Sequence, residues 1–144
     1  MTRISFYILK SSQEHDRQVF ACRLIEKAHA KGNQIYIHAD SQEQANQFND
    51  LLWSFRSDSF VPHQLMYDTS QTTQDDCPIL IGCEATPPRL MNLLINLSSE
   101  QPIFFSQFER VAEFINDNET TKAQGRERYQ FYKERGYELE SHNL

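Results

Sequence analysis

Glycine is scarce in this chain: only four of its 144 residues are glycine, and they stand far apart at positions 32, 82, 125 and 136. A loop that cradles phosphate groups needs glycines where the backbone approaches the ligand, and its common signatures are GxGxxG and GxxxxGK[ST]. Neither signature occurs in the sequence, and the segment LKSSQEHD after the first expected strand has no glycine. The sequence therefore predicts no phosphate-binding loop and no cofactor.

Long apolar runs and paired cysteines are also missing. No run approaches the roughly 20 apolar residues that cross a bilayer, and the N-terminal segment becomes polar too soon for a secretory signal. We therefore expect a cytoplasmic protein without a membrane partner. The cysteines, Cys22, Cys77 and Cys83, are odd in number and form no CxxC pair, so we expect reduced thiols and no metal site.

Positive charge is in the minority and is unevenly distributed. The formal net charge is -6, yet five of the 14 Lys and Arg residues lie within residues 120–137, opposed there only by Glu127 and Glu134. Binding to duplex nucleic acid relies on a broad basic surface that releases counterions from the phosphates. A small basic patch on an acidic body fits a small acidic target better, so no direct nucleic-acid binding is expected.

The hydrophobic pattern predicts alternating strands and helices. RISFYIL and QIYIHA are typical of strands. Apolar residues at helical spacing predict a helix over 13–31, capped by Ser11 or Ser12, and a second helix that begins at Asp40 or Ser41. PILIGC predicts a central strand, whereas LMNLLINL fits a strand or a short helix, and residues 58–77 are loop-like. A strand is also expected at 110–115 and a helix at about 120–135.

This order predicts one three-layer α/β domain over residues 1–144, with a mostly parallel sheet and a basic C-terminal helix. Such folds often bind nucleotides, so a nucleotide-binding enzyme is the alternative function. Its candidate acids and bases are polar residues near expected strand ends, namely His15, Asp16, His38, Asp40 and His63. No nucleophile elbow or HExxH motif accompanies them, and a hydrogen-bonded loop residue is the commoner role of such side chains.

Trp53 is a candidate binding residue on the second helix. On a helical wheel it lies about 80° beyond the apolar arc that contains Phe48 and Leu52, so it should not point fully into the core. Phe60 and Pro62 follow on the connecting segment, and an exposed Trp beside Phe and Pro is typical of a protein–protein hot spot. Alternatively, the helix ends near Trp53 and its ring folds back over the core.

The C-terminal helix offers a second candidate surface. Lys122, Arg126, Tyr129 and Lys133 share one face of the wheel, and Arg128 and Arg135 share another. Cations beside an aromatic ring suit an acidic peptide that ends in an apolar residue and a free carboxylate. The alternative is a solvated helix whose cations complement its dipole and its own glutamates.

Four segments resemble the chi subunit family of bacterial DNA polymerase III. They are FYIL at 6–9, LLWSFRSDSFVPHQL at 51–65, LLINLSSEQPIFFSQFERVAEFI at 93–115 and RERYQFYKERGYEL at 126–139. The resemblance runs nearly end to end. It implies a Rossmann-like fold without nucleotide-binding activity and a non-enzymatic accessory role at the clamp loader of the replisome.

The resemblance also implies partners and residues. Chi proteins bind the psi subunit, some pair with a repair helicase instead, and they bind the acidic C-terminal tail of single-stranded DNA-binding protein (SSB). The tail-binding positions of the family fall on Lys122 and Arg126 with Tyr129 beside them, and a neighbouring position that can be basic is Gln130 here. The psi-facing positions match Trp53 and Phe60, with Pro62 adjacent.

Overall fold

The computed structural model describes residues 2–55, 62–65, 77–83, 87 and 90–144. Its strands are β1 (Arg3–Ile8), β2 (Ile35–His38), β3 (Gln64–Leu65), β4 (Ile79–Gly82), β5 (Leu93–Asn96), β6 (Arg110–Ile115) and β7 (Glu138–Asn143). Its α-helices are α1 (Glu14–Ala30), α2 (Gln42–Ser54) and α3 (Glu119–Glu134), and one 3-10 turn covers Phe105–Gln107. Within these ranges no helix combines the length and apolar character needed to cross a bilayer.

The strands form one seven-stranded sheet in the order β3-β4-β2-β5-β6-β1-β7. Each adjacent pair is parallel. Parallel neighbours require crossover connections, which is why helices stand between strands along the chain. The predicted α/β architecture with a mostly parallel sheet is confirmed.

Two apolar cores lie on opposite faces of the sheet, and this makes the fold three-layered. On one face α1 and α2 bury Ala21, Ile25 and Phe48 against the isoleucines of β2 and β4. On the other face Tyr132 of α3 and the aromatic turn around Phe105 cover β1, β5 and β6. The alternation of side chains along each strand supplies both cores, since successive residues point to opposite faces.

Several local predictions are confirmed and others are wrong. Ser41 caps α2, and its hydroxyl oxygen accepts a hydrogen bond from the Gln44 amide at 3.1 Å. Neither Ser11 nor Ser12 caps α1, because the N-cap position is Gln13 and its side chain makes no capping bond. The Ser11 hydroxyl instead bridges the loop before the helix, accepting from the Gln13 amide and donating to the Asp16 carboxylate.

Two strands lie where the sequence predicted none. Gln64–Leu65 is a two-residue edge strand inside the segment expected to be loop-like, and Glu138–Asn143 forms the opposite edge after the last helix. The second is almost entirely polar, since an edge strand is held by backbone pairing and needs few apolar side chains. The ambiguous LMNLLINL segment contributes the buried strand Leu93–Asn96.

Candidate functional site

The carboxyl ends of β1 and β6 are adjacent, but the two strands lead into helices on opposite faces of the sheet. Such a switch point opens a crevice where ligands commonly bind in parallel α/β sheets. Here the crevice is a groove of about 550 Å³ between α3 and the ends of the strands. This α3 groove is lined by Phe6, Ile8, Leu9, Lys10, Ile115, Asn116, Asp117, Lys122, Gly125, Arg126, Tyr129 and Ser141.

Gly125 sets how closely α3 approaches the sheet. A methyl group at this position would overlap the Cδ1 atom of Ile115 on β6. A larger residue here would force the Ile115 side chain to shift, which favours glycine at this position even though glycine inside a helix costs about 1 kcal/mol relative to alanine. The sequence held a signal for this contact, namely an isolated glycine inside a helical pattern, but it was not recognised as a close approach.

The floor of the groove is apolar and aromatic. The Phe6 ring is buried in β1, and the centroid of the Tyr129 ring lies 5.3 Å from it at a tilted angle. Tyr129 remains 38% exposed. Ser141 of β7 pairs with Phe6 in the sheet register, and its short side chain borders the same groove. The floor can therefore accept a small apolar group beside the two rings.

The rim of the groove is mainly cationic. Lys122 and Arg126 project from α3, and Lys10, which sequence reasoning missed, approaches from the end of β1. The Lys122 ammonium donates to Asp117 Oδ1 at 2.9 Å and lies 4.0 Å from Glu119 Oε1. The hydrogen bond to Asp117 and the charges of both carboxylates raise the pKa of Lys122, so it is protonated at neutral pH.

Arg126 differs from Lys122 in having no acidic partner among the described residues. It is exposed, and within the described part of the chain it forms no ion pair with a carboxylate. A guanidinium in this state can bind an incoming carboxylate through two parallel N–H donors. Arg126 is thus more available to a ligand than Lys122, and Lys10 is exposed and likewise forms no ion pair with a described carboxylate.

Not all of the predicted face reaches the groove. Lys122, Arg126 and Tyr129 line it, whereas Lys133, one turn beyond Tyr129, is exposed and does not. Gln130 is turned toward solvent and donates to Glu134 at 3.1 Å. Three of the four residues that the helical wheel grouped therefore line one groove, which ends before Lys133.

Only one member of the second predicted stripe of cations lies at the surface, since Arg135 is exposed and Arg128 is buried. Arg128 is only 3% exposed, and its Nε donates to Oε1 of the fully buried Glu113 at 2.8 Å. Tyr132 and Asn96 donate to Glu113 Oε2 at 2.7 and 2.9 Å, and Arg128 also donates to the Ser99 carbonyl. Burial, together with Glu113, raises the pKa of the Tyr132 phenol. The phenol therefore stays protonated and donates its hydrogen bond to Glu113.

A sequence signal for this network existed. Val111, Glu113 and Ile115 occupy alternate positions of β6 and face α3. In the sequence, Glu113 is therefore an acidic residue at a core-facing position between two apolar ones. A buried carboxylate needs a cationic or hydrogen-bonding partner, and here α3 supplies two donors while β5 supplies Asn96. Arg135, the other member of the stripe, lies with its guanidinium carbon 3.6 Å from the centroid of the Phe131 ring.

Trp53 lies on α2, outside the apolar stripe. Leu52 beside it is buried, whereas Trp53 is 46% exposed, as the helical wheel predicted. The ring is nevertheless held in place, since its centroid lies 4.1 Å from that of His63. Pro62 is partly buried next to His63, and Phe60 lies outside the described residues.

Comparison with known proteins assigns the chain to a family. A model of the family described as DNA polymerase III chi subunit, HolC, matches residues 1–140. The chain belongs to this family. It is 37% identical to DNA polymerase III subunit chi of Pseudomonas aeruginosa over 144 residues, covering 100% of this chain and 98% of the relative. The chi family consists of accessory subunits of that polymerase, so this chain is a replication accessory subunit.

One further relative supports the family, and one solved structure shares the fold. The chain is 31% identical to subunit chi of Haemophilus influenzae, covering 96% of this chain and 95% of the relative. The crystal structure of T4 UvsW aligns with a TM-score of 0.69 over 99% of this chain and 42% of that chain. At 10% identity the UvsW similarity shows a shared fold alone.

Four of the five catalytic candidates in this chi-family chain have structural contacts. Asp40 accepts from the Ser99 amide at 2.9 Å, and Asp16 accepts from Ser11. His38 packs edge-on against Phe104, and burial lowers its pKa despite nearby Asp40. His63 supports Trp53, and His15 is exposed on α1. In the described ranges no three His, Cys, Asp or Glu residues are arranged to hold a metal ion.

Proposed function

We propose that this chi-family chain is a non-enzymatic bridging subunit of DNA polymerase III. Its α3 groove binds the acidic C-terminal tail of SSB, and the surface around Trp53, Phe60 and Pro62 binds the psi subunit or an equivalent partner such as a repair helicase. The observation that carries the tail-binding half is the combination of an apolar floor and a cationic rim in one groove.

The chemistry of the groove matches the two ends of such a ligand. A tail that ends in an apolar residue and a free carboxylate needs an apolar recess within a few ångströms of a cation. The Phe6 and Tyr129 rings provide the recess, and Arg126 provides a guanidinium without an acidic partner in the described structure. Backbone and side-chain capture of a terminal carboxylate is a recurring mode of peptide recognition.

The acidic body of the protein supports a local site. The net charge is -6, so a polyanion such as naked DNA is repelled from most of the surface. A short acidic peptide contacts only the groove and avoids that repulsion. Each tail is expected to bind weakly because rim ion pairs are exposed to solvent and salt, and several tails on one DNA strand would add avidity.

The tail site is tested by calorimetric titration of an SSB tail peptide into wild-type protein and Arg126→Ala. We expect the affinity to fall at least about tenfold, since a charge-assisted contact to a terminal carboxylate is lost. A peptide with an amidated C-terminus should bind wild type weakly and should lose little further affinity in the variant. Equal affinity of wild type and Arg126→Ala for the free-acid peptide would disprove the assignment of Arg126.

The psi-binding half is tested by Trp53→Ala in a pull-down of psi. We expect binding of psi to fall more than about tenfold, because truncating an exposed interface Trp removes a large contact. Tail-peptide affinity and melting temperature should change little, since the ring is nearly half exposed. The neighbouring Leu52→Ala is the matched control and should lower the melting temperature, because Leu52 is 1% exposed. If Trp53→Ala lost binding of both psi and the tail peptide and also melted at a lower temperature, Trp53 would have a core role instead.

A further inference from the structure

One carboxylate stands on the rim of the α3 groove among its cations. Asp117 lines the groove, and its Oδ1 accepts the hydrogen bond from Lys122 at 2.9 Å. Among the described residues of the lining, the other charged side chains are all positive, namely Lys10, Lys122 and Arg126. A ligand carboxylate that approaches Lys122 therefore meets a negative charge that already holds this ammonium.

We infer that Asp117 limits the affinity of the α3 groove by competing with the carboxylates of an acidic peptide for Lys122. The inference rests on the proposed tail-binding function and adds an affinity-setting residue to it. Arg126 can bind the ligand without displacing a described carboxylate, whereas Lys122 contributes fully only when Asp117 releases it or shares it.

Backbone contacts hold Asp117 beside Lys122. Its amide donates to the Ser11 carbonyl at 2.8 Å, which ties the turn after β6 to the loop after β1. Asn118, the next residue, caps α3 by accepting from the amides of Thr120 and Thr121 at 3.0 and 3.2 Å. The backbone of the turn is thus fixed on both sides of Asp117, and separating the pair requires rotation of the Asp117 or the Lys122 side chain.

The charges of the rim indicate the direction of the effect. Three cations and one carboxylate give the groove a local charge of +2, and neutralising Asp117 would raise it to +3. Unit charges at contact distance interact appreciably even when they are partly solvated. An ammonium has three N–H donors and can bind two carboxylates, but the two carboxylates then repel each other. Loss of the Asp117 charge should therefore strengthen binding of an acidic ligand.

The test is titration of the SSB tail peptide into Asp117→Asn at moderate salt. This substitution keeps the size of the side chain and the backbone contacts, and we expect binding about threefold tighter or more. Glu119→Gln is the matched control, since it removes the same charge from the same end of α3. Glu119 Oε1 lies 4.0 Å from the Lys122 ammonium and Glu119 does not line the groove. We therefore expect a smaller gain in peptide affinity from Glu119→Gln than from Asp117→Asn.

A double-mutant cycle separates competition for Lys122 from a general charge effect. In a Lys122→Met background the gain from Asp117→Asn should largely disappear, because the contested cation is gone. An equal gain in both backgrounds, an equal gain from Glu119→Gln, or unchanged or weaker binding by Asp117→Asn would each overturn the inference while leaving the tail site in place. Absence of any Arg126-dependent binding to wild type would overturn the proposed function and this inference together.

Discussion

Arg126 and Arg128 stand two positions apart on α3 and have opposite environments. Arg126 is exposed at the rim of a groove, whereas Arg128 is buried and bound to Glu113. Two residues correspond to about 200° around a helix, which turns one side chain to solvent and the other to the sheet. The comparison shows that a cluster of cations in a sequence can divide between a binding role and a structural role.

The two roles differ in what each charge costs the fold. A buried ion pair is stable only when the geometry is good and further hydrogen bonds satisfy both groups. The Glu113 carboxylate meets this condition, since it accepts from Arg128, Tyr132 and Asn96. An exposed arginine keeps its hydration and costs almost nothing, so Arg126 is available for a ligand.

The largest effect is expected from Arg128→Ala. Removing the guanidinium leaves the buried Glu113 charge without its cation, which should lower the free energy of unfolding by about 3 to 5 kcal/mol. Urea unfolding measures the change, with Arg126→Ala as the matched control on the same helix. The free energy of unfolding of Arg126→Ala should stay within about 0.5 kcal/mol of the wild-type value, as is usual for exposed positions. Similar losses in both variants would erase the distinction between the two arginines.

The smallest effect is expected from Lys133→Ala. Lys133 shares the face of Arg126 but lies beyond the end of the groove, so the affinity for an SSB tail peptide should change by less than about twofold. Titration beside Arg126→Ala, for which a tenfold loss is expected, gives the contrast directly. A loss at Lys133 as large as that at Arg126 would extend the ligand one helical turn further along α3.

Much of the fold followed from hydrophobic spacing. The helices α1, α2 and α3 and the strands at 3–8, 35–38, 79–82 and 110–115 lie close to where the pattern predicted them. Glu138–Asn143 was missed because its residues have little strand propensity, and its position beside β1 depends on backbone pairing with a strand over 130 residues away. LMNLLINL was undecided because a short buried apolar run has no period that separates helix from strand.

The candidate site was predictable in part. Lys122, Arg126 and Tyr129 were found because a helical period reports which residues share a face. Lys10, Ser141 and Asp117 could not be found in the same way, since they come from a strand end, an edge strand and a turn that only the folded sheet brings together. Gly125 was visible in the sequence, but its contact with Ile115 was not.

By itself, the sequence determined the alternation of strands and helices, the lack of the common phosphate-loop signatures, the cationic face of the last helix and the resemblance to the chi family. These depend on local spacing and residue type, which a linear chain displays directly. Only the tertiary structure decided which cations are buried, where the groove ends and which carboxylate faces Lys122. Each of these depends on the rotation of α3 about its axis and on its packing against β6. Contacts between residues distant in the chain fix both the rotation and the packing.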